Sequence, residues 1–246
     1  MIKGLSIVIP TLNEEHFIPK LLRSLTKQDY KGDFEIIVVD GKSKDRTMTV
    51  AKRFKDQLNN LHLISTKQGI GHQRNIGANS TRFNHLIFLD ADTILPRNFL
   101  STIAKKSFDN ERFVAIPLVL PLNGSVPDYI YTFLSYIFKL LVAPIKPIIT
   151  GKCIITTKEN HKKINGFDES AIYAEDVDYG LRAVANGAKY YIFLGSHIYS
   201  STRRKKQIPI IKASILQFRA YLEVIWSGAI TDKSKYKYKF GNHIKE

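Results

Sequence analysis

The stretch His85-Leu86-Ile87-Phe88-Leu89-Asp90-Ala91-Asp92 is a short apolar run that ends in two carboxylates. Such a run is typical of a strand buried on both faces of a parallel sheet. Ligands bind at the carboxyl ends of the strands in these sheets, and paired carboxylates there suit a hard divalent ion that carries phosphates. We therefore expect Asp90 and Asp92 to lie at a metal-assisted nucleotide site. The alternative is a pair of solvated turn residues.

The chain before this stretch repeats a strand-and-helix pattern. Runs rich in β-branched residues predict strands at 5–9, 34–39 and 61–64, and the fourth strand ends at Asp90. Helices are predicted between them, the third around 73–78. The apolar stripes of the first two helices are Ile18, Leu21, Leu22 and Leu25, then Val50, Ala51, Phe54 and Leu58. This alternation predicts an α/β fold with a doubly wound, mostly parallel sheet and helices on both faces.

The composition fits one compact domain with a tail. The chain has 246 residues, of which 44% are hydrophobic, and no low-complexity linker divides it. We place the domain at 1–206 and a basic helical extension or tail at 207–246. The single cysteine, Cys153, cannot form an internal disulfide, which favours a reducing compartment. The N-terminus shows no leader pattern, so a cytoplasmic protein is expected.

The formal charge of +15 predicts anionic partners, which are nucleotide phosphates, lipid headgroups or nucleic acid. The excess lies late in the chain, at Arg203, Arg204, Lys205, Lys206, Lys233, Lys235, Lys237 and Lys239. Tyr236 and Tyr238 alternate with the last of these lysines. Alternating aromatic and basic residues can stack on bases or enter the headgroup layer of a membrane, and a plain solvated tail explains them equally well.

Residues 129–149 form a very apolar segment, interrupted by Lys139, Pro144, Lys146 and Pro147. A bilayer span needs about 20 predominantly apolar residues, so this segment is too short and too broken to be one. We expect an interfacial helix that lies on a membrane, a cap over an acceptor site, or a helix of the core.

Four motifs in the chain resemble those of one enzyme family. They are Val8-Ile9-Pro10-Thr11-Leu12-Asn13-Glu14-Glu15, Val38-Val39-Asp40-Gly41-Lys42-Ser43-Lys44-Asp45-Arg46-Thr47, Phe88-Leu89-Asp90-Ala91-Asp92-Thr93, and Asn165-Gly166-Phe167-Asp168-Glu169 followed by Ala174-Glu175-Asp176-Val177-Asp178. In this order and spacing they are similar to the family 2 inverting glycosyltransferases, over most of the chain. The resemblance implies a GT-A fold and transfer of a sugar from a nucleoside diphosphate.

The resemblance also implies a nucleotide site assembled from several motifs. Its residues are Pro10, Thr11, Glu14, Asp40, Arg74, Asp90, Ala91 and Arg204. At the end of a strand, Asp40 can accept hydrogen bonds from a base or a ribose, or it can cap a turn. Arg74 follows a loop that contains Gly69 and Gly71, and its alternative is an exposed helix charge.

The same resemblance assigns Mg²⁺ or Mn²⁺ to Asp90 and Asp92, with His197 as a third ligand. A bound cation stabilises the negative charge that develops on the departing nucleoside diphosphate. The alternative for His197 is a structural histidine.

For the reaction, the resemblance makes Asp176 the general base, with Glu175 and Asp178 as supporting groups. An inverting transferase needs a base to take the proton from an acceptor hydroxyl as it attacks the anomeric carbon. The alternative is that the acidic residues only stabilise the start of a helix at 177–185. Family members that use a phosphate acceptor generally lack the Glu-Asp pair, so a hydroxyl acceptor is implied.

The predicted function is transfer of one sugar from a UDP- or GDP-linked donor to a hydroxyl acceptor. The acceptor is expected to be a lipid-linked or cell-envelope glycan, met through peripheral contact with the anionic inner face of the membrane. An alternative is a catalytically inactive nucleotide-sugar or membrane-surface binding module of the same fold. A nucleic-acid binder is disfavoured because no corresponding fold signature is present. A dinucleotide-binding dehydrogenase is disfavoured because no Gly-x-Gly-x-x-Gly follows the first strand.

Overall fold

The computed structural model describes residues 4–106, 112–143, 146–202 and 210–232. The strands in these ranges are β1 (Gly4–Thr11), β2 (Asp33–Asp40), β3 (Leu61–Ser65), β4 (His85–Leu89), β5 (Thr93–Ile94), β6 (Phe113–Leu122), β7 (Cys153–Thr157) and β8 (Lys189–Ser201). The helices are α1 (Ile18–Thr26), α2 (Thr47–Lys52), α3 (Ile70–Asn79), α4 (Phe99–Lys105), α5 (Val126–Val142), α6 (Lys158–Lys163), α7 (Glu175–Ala185) and α8 (Ile210–Ser227). The elements predicted up to Asp90 are all present, and most differ only slightly in their bounds. The exception is α2, which ends at Lys52, so Phe54 and Leu58 of its predicted stripe are buried in the segment after the helix.

The described strands form one mixed sheet in the order β3-β2-β1-β4-β7-β6-β8-β5. Neighbours from β3 to β4 run parallel, as do β6 and β8. Strand β7 is antiparallel to β4 and β6, and β5 is antiparallel to β8. The predicted doubly wound, mostly parallel sheet is confirmed, with β5 and β7 as its antiparallel members.

The parallel half of the sheet brings three strand ends to one edge. Thr11 of β1 pairs with Asp40 of β2, and Val8 pairs with Phe88 of β4. Because parallel strands end on the same side, the residues that follow β1, β2 and β4 meet there. This is the edge at which the site was expected.

The core consists of two layers, one on each face of the sheet. Leu5, Ile7 and Ile9 of β1 pack with α1 and α4, whereas Val8 packs on the other face with α3 and α7. Each aliphatic side chain so buried contributes about 1.5–3 kcal/mol. Coverage of both faces explains why these strands are continuously apolar rather than alternating.

Two local features seat the helices as the sequence indicates. Pro19 lies in the first turn of α1, where its backbone nitrogen would have no helical partner. Gly77 lets α3 lie directly on the sheet, because a Cβ there would collide with the Val8 side chain. Gly77 therefore serves the close packing of α3 on the sheet.

Helix α5 occupies the first part of the apolar segment 129–149. Its Tyr136 hydroxyl donates to the carbonyl oxygen of Pro117 at 2.8 Å and accepts from the backbone N–H of Val119 at 2.7 Å. Most of its other apolar side chains are exposed, so α5 covers the domain instead of filling its core. Within the part of the chain that the structure describes, no helix has the length and apolarity needed to cross a bilayer.

Candidate active site

Asp40 organises the loop that follows β2. Its buried carboxylate accepts hydrogen bonds from the Thr11 hydroxyl at 3.0 Å and from the backbone N–H and hydroxyl of Ser43 at 2.8 and 2.5 Å. A carboxylate has about four acceptor positions, so one further donor such as a ribose hydroxyl can still bind. Asp40 therefore caps a turn, as its alternative interpretation predicted, and it also stays a candidate nucleotide contact.

The loops after β1 and β2 hold each other in place. The backbone N–H of Asn13 donates to Ser43 Oγ at 2.9 Å, and that of Glu14 donates to Thr47 Oγ1 at 2.7 Å. These bonds join residues about 30 positions apart into one wall at the sheet edge. The predicted nucleotide residues on this wall are Pro10, Thr11, Glu14 and Asp40.

Sequence reasoning missed Gln73, which joins the ends of β1 and β2. Its side-chain Nε2 donates to the carbonyl oxygens of Thr11 at 2.8 Å and Val39 at 2.7 Å. Gln73 is fully buried and directly precedes Arg74 on α3. It thus fixes the helix that carries Arg74 to the edge of the sheet.

Arg74 is a buried cation, only 1% exposed, so its alternative as an exposed helix charge is wrong. Its Nη1 donates to Glu175 Oε1 at 2.8 Å, and its Nη2 donates to Asp90 Oδ1 and to the carbonyl oxygen of Gly151, both at 3.1 Å. Burial lowers the pKa of Arg74, but the charges of Glu175, Asp90 and Asp176 outweigh it and raise the pKa. The arginine is therefore charged, and it ties the aspartate after β4 to the acidic start of α7.

Lys152 bridges the two aspartates that follow β4. Its Nζ lies 2.6 Å from Asp92 Oδ1 and 3.4 Å from Asp90 Oδ2. Lys152 directly precedes β7, which pairs with β4, and its carbonyl oxygen accepts from the backbone N–H of Asp90 at 3.1 Å. The strand pairing thus puts an ammonium group on the carboxylates to which the sequence assigned a metal ion. Ala91, which separates the two aspartates in the sequence, is buried.

The carboxylate oxygens of Asp90 and Asp92 are suitable ligands for a divalent cation, because Mg²⁺ is commonly held by one or two carboxylates together with substrate phosphates. The Lys152 ammonium already supplies one positive charge to this pair. A metal ion bound to both carboxylates must therefore displace that ammonium. The described residues contain no group of three or more His, Cys, Asp or Glu side chains that could hold a metal ion.

His197 does not complete a ligand set with the aspartates. It lies on β8 opposite Leu118, and its Nε2 is 3.3 Å from the Tyr199 hydroxyl. The β8 residue that pairs beside the aspartates is Ser200, opposite Thr93. His197 lies three residues before Ser200 on β8. Because a strand rises about 3.3 Å per residue, His197 lies roughly 10 Å along the strand from the residue that pairs beside the aspartates.

Asp176 and Glu175 begin helix α7. One oxygen of the Asp176 carboxylate accepts from the backbone N–H of Gly151. Burial, and then the charge of Glu175, raise the pKa of Asp176 to about 7, although Arg74 opposes the shift. A carboxyl group with a pKa near neutrality is matched to proton exchange at physiological pH, which is what a general base needs.

Gly151 links the two halves of the site. Its carbonyl oxygen accepts from Arg74, and its N–H donates to Asp176. A Cβ at this position would lie 3.0 Å from Arg74 Nη2 and 3.1 Å from Asp176 Oδ2. A side chain at position 151 would therefore press on both groups and require them to shift by a few tenths of an ångström. The backbone there couples Asp176 to the arginine that holds Asp90.

The motif at 165–169 positions α3. Asn75 exchanges two hydrogen bonds with the backbone of Phe167, at 2.9 and 2.8 Å, and His72 Nδ1 lies 2.8 Å from Glu169 Oε2. These contacts flank Arg74 on the same helix. The motif therefore acts on the site through α3.

Asp178, expected to support the base, pairs instead with Arg182, whose Nη2 lies 2.8 Å from Asp178 Oδ2. The Arg182 Nη1 also donates to the carbonyl oxygen of Gly166 at 2.8 Å. Through Arg182, Asp178 thus helps to hold the 165–169 motif against α7.

A cavity of about 560 Å³ lies between this polar cluster and two apolar helices. Its polar lining includes Arg74, Asp90, Lys152, Glu175 and Asp176. Its apolar walls include Leu134 and Phe138 of α5 and Phe218 and Tyr221 of α8. This arrangement suits a ligand with a polar reacting end and an apolar remainder.

The last predicted nucleotide residue, Arg204, lies outside the described residues. The same holds for the other basic residues at 203–206 and 233–239 and for the boundary placed between 206 and 207.

Solved structures define the class of fold. The mannosyltransferase PcManGT from Pyrobaculum calidifontis, in complex with GDP-Man and Mn²⁺, matches with a TM-score of 0.69 over 89% of this chain and 61% of that chain, at 19% identity. TarS 1–349 of Staphylococcus aureus, in complex with UDP-GlcNAc, matches with a TM-score of 0.68 over 94% of this chain and 69% of that chain, at 22% identity. The predicted GT-A fold is thereby confirmed.

Sequence comparison gives the family. Residues 6–165 match Glycosyl transferase family 2, and the chain belongs to that family. It is 26% identical over 204 residues to the poly(ribitol-phosphate) beta-N-acetylglucosaminyltransferase TarS of S. aureus, covering 81% of this chain. It is 39% identical over 92 residues, or 37% of this chain, to a PGL/p-HBAD biosynthesis glycosyltransferase of Mycobacterium bovis. The chain covers 36% of the length of each of these relatives.

Proposed function

We propose that this chain transfers a sugar from a UDP- or GDP-linked donor to an acceptor hydroxyl, with inversion at the anomeric carbon. The observation that carries the proposal is the connection from Asp176 through Gly151 and Arg74 to Asp90. This connection fixes the Asp176 carboxylate, whose pKa is raised, relative to the charged cluster that would bind the phosphates. Both border the same cavity. A transferase of this kind requires both groups at once.

The donor binds along the edge formed by β1, β2 and β4. The wall of Pro10, Thr11, Glu14 and Asp40 takes the nucleoside, and the diphosphate lies toward Asp90, Ala91 and Asp92. Bound UDP-GlcNAc in TarS and bound GDP-Man in PcManGT support this class of donor. Arg74 lines the same cavity, and its guanidinium nitrogens already donate to Glu175 and Asp90. It therefore acts by positioning these two carboxylates.

Asp90 and Asp92 would hold the divalent ion. Such an ion, when bound, neutralises charge on the departing diphosphate. Lys152 carries a charge of the same sign at the same carboxylates, and its flexible side chain can turn toward phosphate oxygens when a metal ion replaces it. The Mn²⁺ in PcManGT supports a metal-dependent mechanism.

Asp176 takes the proton from the acceptor hydroxyl. The hydroxyl oxygen forms a bond to the anomeric carbon as the bond from that carbon to the diphosphate oxygen breaks, and the proton ends on the Asp176 carboxylate. Glu175 raises the proton affinity of Asp176, and Arg74 keeps Glu175 in place. The nucleoside diphosphate leaves with the bonding electrons.

The acceptor is a lipid-linked or cell-envelope glycan. The apolar walls of α5 and α8 next to Asp176 support an acceptor with an apolar part. The name of the staphylococcal relative gives poly(ribitol-phosphate) as its acceptor, which offers ribitol hydroxyls and supports a hydroxyl acceptor here.

The proposal is tested first with a panel of UDP- and GDP-sugars, each with Mn²⁺ or with EDTA. A bound donor at about 100 times its Kd stabilises the native state by about 2.7 kcal/mol. In a protein of this size that raises the melting temperature by several degrees. Absence of a shift with every donor would contradict the proposal. A shift without any release of nucleoside diphosphate would favour the inactive binding module.

A further inference from the structure

Helices α5 and α8 each expose an apolar stripe. The stripe on α5 contains Ile130, Phe133, Ile137 and Leu141, and that on α8 contains Ile215, Phe218, Leu222 and Trp226. Members of each stripe are three or four residues apart, so they share one helix face. Phe133, Leu141 and Trp226 are 66%, 71% and 84% exposed. We call these two stripes the α5–α8 surface. Contiguous apolar patches of this kind mark interaction sites.

The two helices lie against each other. The Tyr131 hydroxyl of α5 donates to Gln217 Oε1 of α8 at 2.9 Å, and the rings of Phe138 and Phe218 are 6.2 Å apart. Both helices are also anchored to the domain, α5 through Tyr136 and α8 through packing with α7. The two stripes therefore lie on helices that contact each other and that both pack against the domain that holds the active site.

The charges around α8 match an anionic surface. In the sequence, Arg203, Arg204, Lys205 and Lys206 stand a few residues before this helix, and Lys233, Lys235, Lys237 and Lys239 stand a few residues after it. The acidic residues within the two helices are Asp128, which caps α5 with Ser125, and Glu223, which is half-buried. An apolar helix flanked by clusters of four or more basic residues is suited to the headgroup layer of an anionic bilayer.

We propose that the α5–α8 surface seats the protein on an anionic lipid bilayer. The side chains of both helices also wall the cavity that holds Asp176, so seating places the catalytic cavity at the lipid interface. A lipid-linked acceptor then needs to lift only its glycan end into the cavity. The part of this inference that concerns the acceptor rests on the proposed function, whereas the seating itself does not.

A second copy of the chain fits this surface less well. In a dimer formed through α8, both copies would carry the same excess of basic residues near this helix in the sequence, and like charges repel. A bilayer that contains anionic lipids attracts the same basic residues. The charge pattern therefore favours a membrane.

Trp226 is the only tryptophan of the chain, so its fluorescence reports on this surface directly. Full-length protein is titrated with vesicles of phosphatidylcholine and with vesicles that also contain phosphatidylglycerol. The mixed vesicles are expected to shift the Trp226 emission to shorter wavelength, and lipids with brominated acyl chains are expected to quench it. Added salt should weaken the binding, because the attraction is partly electrostatic.

The double variant Phe133→Asp, Leu141→Asp keeps the Trp226 reporter and removes apolar contact area. It is expected to bind mixed vesicles at least about tenfold more weakly, because charged side chains are poorly accommodated among lipid chains. The matched control is Leu194→Asp, which replaces a leucine that is 60% exposed on β8. The control should bind the vesicles as the wild type does.

Donor-induced thermal stabilisation of the same variants separates this inference from the proposed function. Vesicle binding without any donor-induced stabilisation would contradict the proposed function and leave the proposed membrane binding unaffected. The seating is overturned if the wild type ignores mixed vesicles, or if the double variant binds them as tightly as the control. A dimer in light scattering that the double variant abolishes, without vesicle binding, would assign the surface to a second copy.

Discussion

The Lys152 ammonium lies 2.6 Å from Asp92 Oδ1 and so stands directly on one of the two carboxylates expected to hold a metal ion. The same nitrogen is 3.4 Å from Asp90 Oδ2. Asp92 is buried, so the ion pair lies largely out of reach of solvent screening. The protein therefore carries its own counter-charge for the aspartate pair when no other cation is bound there.

Replacing Lys152 with Met is expected to strengthen Mn²⁺ binding in the absence of donor by at least about tenfold. Removal of one partner leaves buried carboxylate charge uncompensated, and a divalent ion then relieves it. Free Mn²⁺ measured by electron paramagnetic resonance gives the affinity without any turnover. Lys105→Met, which changes an exposed lysine of α4, is the control and should leave the affinity unchanged. Equal affinities for Lys152→Met and the wild type would show that the ammonium does not compete with the metal.

Asp176→Asn is expected to stabilise the protein at pH 8 and to have a smaller effect at pH 5. The pKa of Asp176 is raised in the folded protein to about 7, from an ordinary value of 3.8. Between these values the native state holds a proton that the unfolded state releases, so stability falls as pH rises through about 7. Asparagine cannot ionise and avoids that loss. Melting temperatures at the two pH values test this, and a variant that is less stable at pH 8 would contradict it.

Glu175→Gln is expected to move the acid limb of the turnover profile to lower pH. Burial is the main cause of the raised pKa of Asp176, and the charge of Glu175 is the next. Glutamine removes this charge but can still accept the hydrogen bond from Arg74. The rate of nucleoside diphosphate release against pH measures the shift. The control Glu159→Gln, at an exposed position of α6, should leave the limb in place. A limb that stays in place in Glu175→Gln would show that the charge of Glu175 does not act on the base.

Asp40→Asn is expected to lower the free energy of unfolding by about 1–3 kcal/mol and to weaken donor binding. Its carboxylate accepts hydrogen bonds from Thr11 and Ser43, and an amide offers acceptor positions on one atom only. Urea unfolding gives the free energy. Asp33→Asn, at the exposed other end of β2, should change it by no more than about 0.5 kcal/mol. If both variants unfold alike, Asp40 does not organise the loop as described.

Strands β1, β2 and β4 were predictable because they are largely buried on both faces, which leaves an almost continuous apolar run in the sequence. Strand β3 lies at the edge of the sheet and is partly exposed, and only its short apolar run indicated it. The antiparallel β7 was not predictable. Its pairing with β4 joins residues 64 to 72 positions apart, and nothing local in Cys153–Thr157 records that partner. The position of Lys152 depends on this pairing, so its contact with Asp92 was out of reach of sequence reasoning.

The motifs predicted the acidic residues of the site but not the residues that hold them in place. Asp90, Asp92, Glu175 and Asp176 belong to two of the four motifs. Gln73 and Gly151 act through buried contacts with the backbone and with other side chains, and such contacts leave no local pattern. The family resemblance suggested His197 as a third metal ligand, yet the β8 register places it away from the aspartates.

The most direct test of the account compares Asp176→Asn with the wild type once a donor has been identified. Donor affinity is measured by titration calorimetry, and sugar transfer is measured with saturating donor. We expect Asp176→Asn to bind the donor with wild-type affinity and to transfer the sugar at least about 100-fold more slowly, because only the proton acceptor is lost. Transfer close to the wild-type rate would contradict the assignment of Asp176 as the base.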